Sequence, residues 1–167
     1  MVPLDRRAQC RYNLDMERRP PECDLAERLD RECIAVRVRL INRVISALYD
    51  EAFRPFGIRI SQSNILATVY QMGECRPADV SRVLRIEKST LSRDVELMKR
   101  NGWLESEPPA GGRNQTIRLT PQGKELLDKI VPSWEKAQAE ARLLLGADGA
   151  AALHQIAARL GFGRPAP

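Results

Sequence analysis

The chain has 167 residues, with 27 Lys and Arg against 22 Asp and Glu, a formal net charge of +5 and a pI near 9.3. That is room for one domain with accessory elements, and the charge favours an anionic partner. No apolar run approaches the ~18 residues of a membrane span, and the N-terminus, MVPLDRRAQCRYNLDMERRPPE, has no apolar stretch for a signal-peptide core, so a cytoplasmic protein is expected. There the four cysteines, Cys10, Cys23, Cys33 and Cys75, are expected as free thiols, redox switches or ligands before structural disulfides.

Residues 1–23 mix charges of both signs with Pro20 and Pro21, which predicts an extended arm. From Asp24 the pattern becomes helical. Ile34, Val38, Ile41, Ile45, Leu48 and Ala52 form one stripe at spacings of three and four, and Val36, Leu40 and Val44 a second beside it. Pro55 and Gly57 stop this helix, predicted as one element of roughly 30 residues. So wide an apolar face asks for burial against another chain, and residues 24–56 are assigned as an N-terminal dimerisation helix.

The segment 57–120 is predicted as the business end. Ser61 is the expected N-cap of a helix whose Ile65, Leu66, Val69 and Met72 share a core face, with Gly73 ending it. A short helix opens at Pro77, and Arg85-Ile86-Glu87-Lys88 makes a turn with Ile86 plugging the core. Ser89 is the expected cap of a further helix whose Leu91, Val95 and Met98 face inward, closed by Asn101-Gly102. Trp103–Glu107 and Gln115–Leu119 read as two strands around a loop with Pro108, Pro109, Gly111 and Gly112. Thr120-Pro121 is a helix-start signal. Residues 121–161 hold C-terminal helices, kinked by Pro132 and broken at Gly146 and Gly149, which the family resemblance given below assigns to dimerisation, before a tail at 162–167. The expected fold class is mainly α with a small β-hairpin wing (α+β): a winged helix-turn-helix with N- and C-terminal dimerisation helices.

On the helix after the turn, Ser89, Ser92, Arg93, Glu96 and Arg100 lie opposite the apolar face. Such a helix anchors by one side and lays the other in a major groove, where hydroxyls reach phosphates or bases and arginine bonds guanine. Glu96 either accepts from cytosine or lies where the helix has left the groove. An ordinary amphipathic helix with a solvated polar side is the plainer reading of this element alone; the short helix before it and the hairpin after it favour nucleic-acid recognition.

The stretch STLSRDVELMKRNGWLES resembles the recognition-helix signature of the MarR family of bacterial winged-helix regulators, with Thr90, Ser92 and Arg93 on its core and Lys99, Arg100, Gly102 and Leu104 on its exit. GGRNQTIRLTPQGKELL resembles the family's wing and following helix at Arg113, Leu119, Thr120 and Gly123. The likeness runs from about Arg31 to Leu160. It implies a homodimer that lays two recognition helices in successive major grooves of a palindromic operator, with half-sites ~34–36 Å apart, and wings in the minor groove. The implied DNA-binding residues are Lys88, Ser89, Thr90, Ser92, Arg93, Lys99, Arg100 and, at the wing, Arg113. Gly111 and Gly112 depart from the family, which has an aspartate and a basic residue there; a looser wing with weaker minor-groove contact is expected.

The resemblance further implies a regulator, more often a repressor, released by a small molecule, an oxidant or a metal. Cys10, Cys23, Cys33 and Cys75 are the candidate redox sensors. Cys33 has Arg31 and Arg37 near it in sequence, but the peroxide-sensing branch places its reactive cysteine near Arg37, and the plainer reading of Cys33 is a small apolar residue packed at the dimer interface. The four cysteines and His154 permit a thiolate metal site, but no CxxC or HxxxH spacing supports one, so no cofactor is expected, and His154 reads as structural or exposed. With one histidine, no phosphate-binding glycine loop and no Gly-x-Ser-x-Gly, no enzyme is expected. The competing class is a non-enzymatic helical scaffold whose winged helix binds protein.

Overall fold

A computed structural model describes residues 24–107 and 115–161. The arm at 1–23 with Cys10 and Cys23, the wing tip with Arg113, and the tail at 162–167 lie outside them. The chain divides into two compact units, residues 1–43 and 44–167.

In the first unit, helix α1 spans Asp24–Glu32, and α2 begins at Ile34 and continues to Phe53. The single helix expected over this stretch is therefore two, parted at Cys33. Arg37 accounts for the break. Its Nη1 donates to the Cys33 carbonyl at 3.2 Å and its Nη2 to the Asp30 carbonyl at 3.1 Å, filling acceptors that the end of α1 leaves open. No glycine or proline marks the place, so the apolar periodicity runs through it unbroken. Ile34, Val36, Val38, Leu40 and Ile41 are all exposed, Ile34 at 76%.

In the second unit, the end of α2 buries Tyr49 and Phe53, and a 3-10 turn at Arg54–Phe56 closes on Gly57 at φ +67°. Helix α3 spans Ile60–Met72. Its expected cap, Ser61, sits inside the first turn instead. Asp50 Oδ1 accepts from the Ile60 N–H at 2.8 Å, and Gln62 Oε1 accepts from the Arg59 N–H at 3.1 Å, so a carboxylate from α2 does the capping. Helix α4 (Pro77–Leu84) and helix α5 (Lys88–Arg100) follow. Strands β1 (Leu104–Glu107) and β2 (Thr116–Leu119) pair antiparallel, with Leu104 opposite Leu119 and Glu105 opposite Arg118. Cys75 and Ile117 add a bridge, exchanging N–H···O bonds of 3.1 and 2.8 Å.

Helix α6 runs Pro121–Arg159 with non-helical angles at Gly146 (φ 70°, ψ 165°), one of the two expected breaks, while Gly149, the other, and Pro132 lie inside the helical run. Thr120 caps it as expected: its Oγ1 accepts from the Gly123 N–H at 3.0 Å and donates to the Gly102 carbonyl at 2.6 Å. The core of this unit joins Phe53, Ile58, Ile65, Leu66, Val69, Val80, Leu91, Val95, Met98, Leu104, Ile117 and Ile130, so every element from α2 to α6 contributes to one apolar cluster. No helix among the described residues is long and apolar enough to cross a membrane.

Candidate nucleic-acid interface

Two helices and the turn between them set the geometry. Helix α4 ends at Arg85, whose backbone is left-handed (φ 52°, ψ 40°), the one non-glycine residue with positive φ among those described. This conformation costs an L-residue roughly 1–2 kcal/mol. It is held from both sides: the Ile86 N–H donates to the Ser81 carbonyl at 3.1 Å, and Ser81 Oγ donates to the Ile86 carbonyl at 2.7 Å. Ile86 is partly buried against the core, as the sequence suggests. The chain then enters α5 at Lys88 with Glu87 as N-cap residue, so Ser89, the expected cap, lies within the first turn.

Leu91, Val95 and Met98 seat α5 on the core, each 5% exposed or less. The opposite side carries Lys88, Ser89, Thr90, Ser92, Arg93 and Arg100, all exposed. Seven of the eight expected DNA-binding residues are thus in the described chain, and these six share the outward side of one helix. Lys99 is different. Its side chain is 25% exposed and its Nζ lies 3.0 Å from Glu96 Oε1, while Arg100 Nε donates to the Glu96 carbonyl at 3.4 Å. Glu96, whose place on this face the sequence leaves open, is therefore committed to Lys99. A partly exposed pair of this kind contributes about 0–1 kcal/mol.

The other flank of α5 is tied inward. Gln62, buried on α3, directs its Nε2 to Asp94 Oδ1 at 3.5 Å, a long contact that steers more than it binds. On the hairpin side a cleft of about 220 Å³, lined by Pro77, Ser81, Lys88, Ser92, Glu96 and Gln115 among others, separates α5 from β2. The hairpin base is fixed by Thr116 Oγ1 donating to Glu74 Oε1 (2.7 Å), by Gln115 Nε2 donating to Ser106 Oγ (2.8 Å) and by the cross-strand Arg118–Glu105 pair at 3.2 Å. The base of the wing is thus built on the loop before α4.

The candidate sensor cysteines fare unequally. Cys75 is 7% exposed, and burial, aided by the charge of Asp79, pushes its thiol above the ordinary value. A reactive thiol needs the opposite shift. Cys33 is half-buried at the break between α1 and α2. Arg37 is engaged by backbone carbonyls there, and Arg31 pairs with Glu27 at 3.8 Å. No group of three or more metal-ligating side chains occurs among the described residues, and His154 is exposed.

Three positions escape the sequence reading. Gln62 and Arg37 act through backbone and cross-element bonds that no local spacing reports. Leu97, 37% exposed at the edge of the polar side of α5, is an apolar residue that helical spacing assigns neither to the core face nor to the polar face.

Residues 56–113 match the sequence model of the MarR family. The chain is 27% identical over 95 residues to the HTH-type transcriptional regulator PecS of Dickeya dadantii, covering 54% of this chain and 57% of that protein. It is 24% identical over 93 residues to the multiple antibiotic resistance protein MarR of Salmonella typhimurium, covering 55% and 65%. The chain spans 57% to 65% of the length of such curated relatives. Among solved structures, the M. tuberculosis transcriptional regulator MOSR in complex with DNA is similar at 29% identity with a TM-score of 0.68, over 78% of this chain and 94% of that one. A mutant MarR from E. coli complexed with operator DNA superimposes with a TM-score of 0.71 over 80% and 96%, at 19% identity, a likeness of fold alone.

Proposed function

We propose, from the match of residues 56–113 to the MarR family model, that the protein is a homodimeric, sequence-specific DNA-binding transcriptional regulator, a repressor on a palindromic operator that a small-molecule, oxidant or metal signal releases. One observation carries the reading. Helix α5 is seated by Leu91, Val95 and Met98 and turns Ser89, Thr90, Arg93 and Arg100 outward, so anchoring and recognition use opposite sides of the same rigid element. Arg93 is expected at a base edge or a phosphate, with the hydroxyls beside it positioning the helix on the backbone. Arg113 is the expected minor-groove contact of the wing.

The exposed apolar residues of α2, from Ile34 to Ile41, support the dimer, as do Leu143, Leu144, Leu153 and Ile156 on α6, of which Leu143 is 84% exposed. Sedimentation velocity on the full chain is expected to give a two-subunit species. Selection from a random duplex library is expected to recover a palindrome whose binding falls steeply with salt, by ~0.9 log units per log unit of salt for each phosphate neutralised. Arg93→Ala should weaken that binding roughly 5- to 150-fold. Failure to enrich any duplex at low salt, by a protein that is folded and dimeric, would count for the protein-binding scaffold instead.

A further inference from the structure

Leu97 is an apolar residue, 37% exposed, at the edge of a polar surface. The inward direction of α5 is fixed by Leu91, Val95 and Met98, all buried. At about 100° per residue, Leu97 falls one turn after Arg93 and just under one turn before Arg100, on a flank roughly 130° round the helix from the core direction. It is the one exposed large apolar residue of this helix. The neighbouring Glu96 and Lys99 hold each other at 3.0 Å, which keeps that carboxylate engaged and leaves the leucine flanked along the helix by two outward arginines. A single exposed leucine elsewhere would call for no explanation. Here it stands where the arginines, once engaged, would press it against base edges and strip its water.

Base edges in the major groove present donors and acceptors, with one apolar group among them, the C5-methyl of thymine. A polar base edge in contact with leucine loses water and gains no hydrogen bond, whereas a methyl group loses nothing. Resting on the DNA-binding reading above, we infer that Leu97 is a specificity-determining residue that selects thymine at one position of each half-site by apolar contact with its methyl group. The polar residues of α5 then set register, and Leu97 discriminates.

The test uses the full-length protein and its enriched duplex, with each thymine replaced in turn by deoxyuridine, which pairs identically and lacks only the methyl. Wild-type protein is expected to lose about fourfold in affinity per half-site at one symmetry-related position, the value for burying one methyl group. Leu97→Ala, on an exposed helical site where alanine is well tolerated, should bind the thymine and uracil duplexes equally, and Leu97→Met should keep the preference. Indifference of the wild type to every substitution, or a preference that survives in Leu97→Ala, overturns the inference while leaving the DNA-binding reading standing. Failure of the wild type to retain any duplex overturns both.

Discussion

At Gly123 an added methyl group would stand 2.2 Å from the backbone carbonyl oxygen of Trp103 and 2.8 Å from Leu119 Cδ1. The carbonyl cannot swing aside as a side chain could, because it also accepts the Thr120 N–H at 3.1 Å, at the junction of the hairpin and α6. Gly123→Ala is therefore expected to destabilise by about 1–3 kcal/mol in denaturant titration, as overpacked sites do. Gly149 is the control. Its added Cβ would meet Leu145 Cβ at an ordinary 3.6 Å, and its φ is not in the left-handed range. Gly149→Ala should stabilise by roughly 0.8–1 kcal/mol through helix propensity alone.

Titration adds a second residue-scale expectation. Burial holds the Cys75 thiol above its ordinary value of 9.0, and holds the Tyr49 phenol above 10.0 against the opposing charge of Arg142. In both cases the folded protein keeps the proton more tightly than the unfolded chain. Stability from these groups is thus complete below about pH 9 and lost as pH rises through the folded values. Melting temperature should be flat between about pH 7 and 8.5 and fall above about 9, with a shallower fall in Cys75→Ala. Iodoacetamide should leave Cys75 unmodified until the protein is unfolded.

Elements are secured by their ends as much as by their cores. Thr120 joins two of them: it caps α6 through Gly123 and clamps the exit of α5 through Gly102. Thr120→Ala should cost about 1–2 kcal/mol, the upper part of the range for a lost cap, and Thr120→Ser should recover most of it. Such an end is legible in a sequence because Thr-Pro is a local signal. The entry to α3 is not. Asp50 reaches the Ile60 N–H from another helix, so Ser61 looked like the cap only because the true one is ten residues away. The break at Cys33 failed for a related reason: Arg37 supplies from the next helix what a glycine supplies locally. The core faces of α3 and α5, by contrast, were readable residue by residue, because Ile65, Leu66, Val69, Leu91, Val95 and Met98 keep a helical period and little competes with it. Within the recognition face the polar residues were equally plain. Leu97 was not, since apolar residues on a helix are read by default as core.

At the scale of the molecule, α2 and the far part of α6 carry exposed leucine, isoleucine and valine that would be costly to leave wet. If a second copy covers them, Val38→Asp combined with Leu40→Asp should abolish the two-subunit sedimentation species. Far-UV circular dichroism of the winged-helix unit should be largely preserved, because neither residue belongs to its buried core.

The bridge between Cys75 and Ile117 has its own consequence. Forty-two residues apart in sequence, these two meet through paired backbone bonds, so α4, α5 and β1 lie inside one closed loop of chain. Entry and exit of that loop are neighbours, and both are pinned to the same buried thiol and isoleucine. A segment with adjoining ends can be exchanged between proteins of the same fold without moving what lies outside it. On the DNA-binding reading proposed above, replacing residues 75–117 by the matching loop of a relative should carry that relative's duplex preference with it, and selection from a random duplex library checks this.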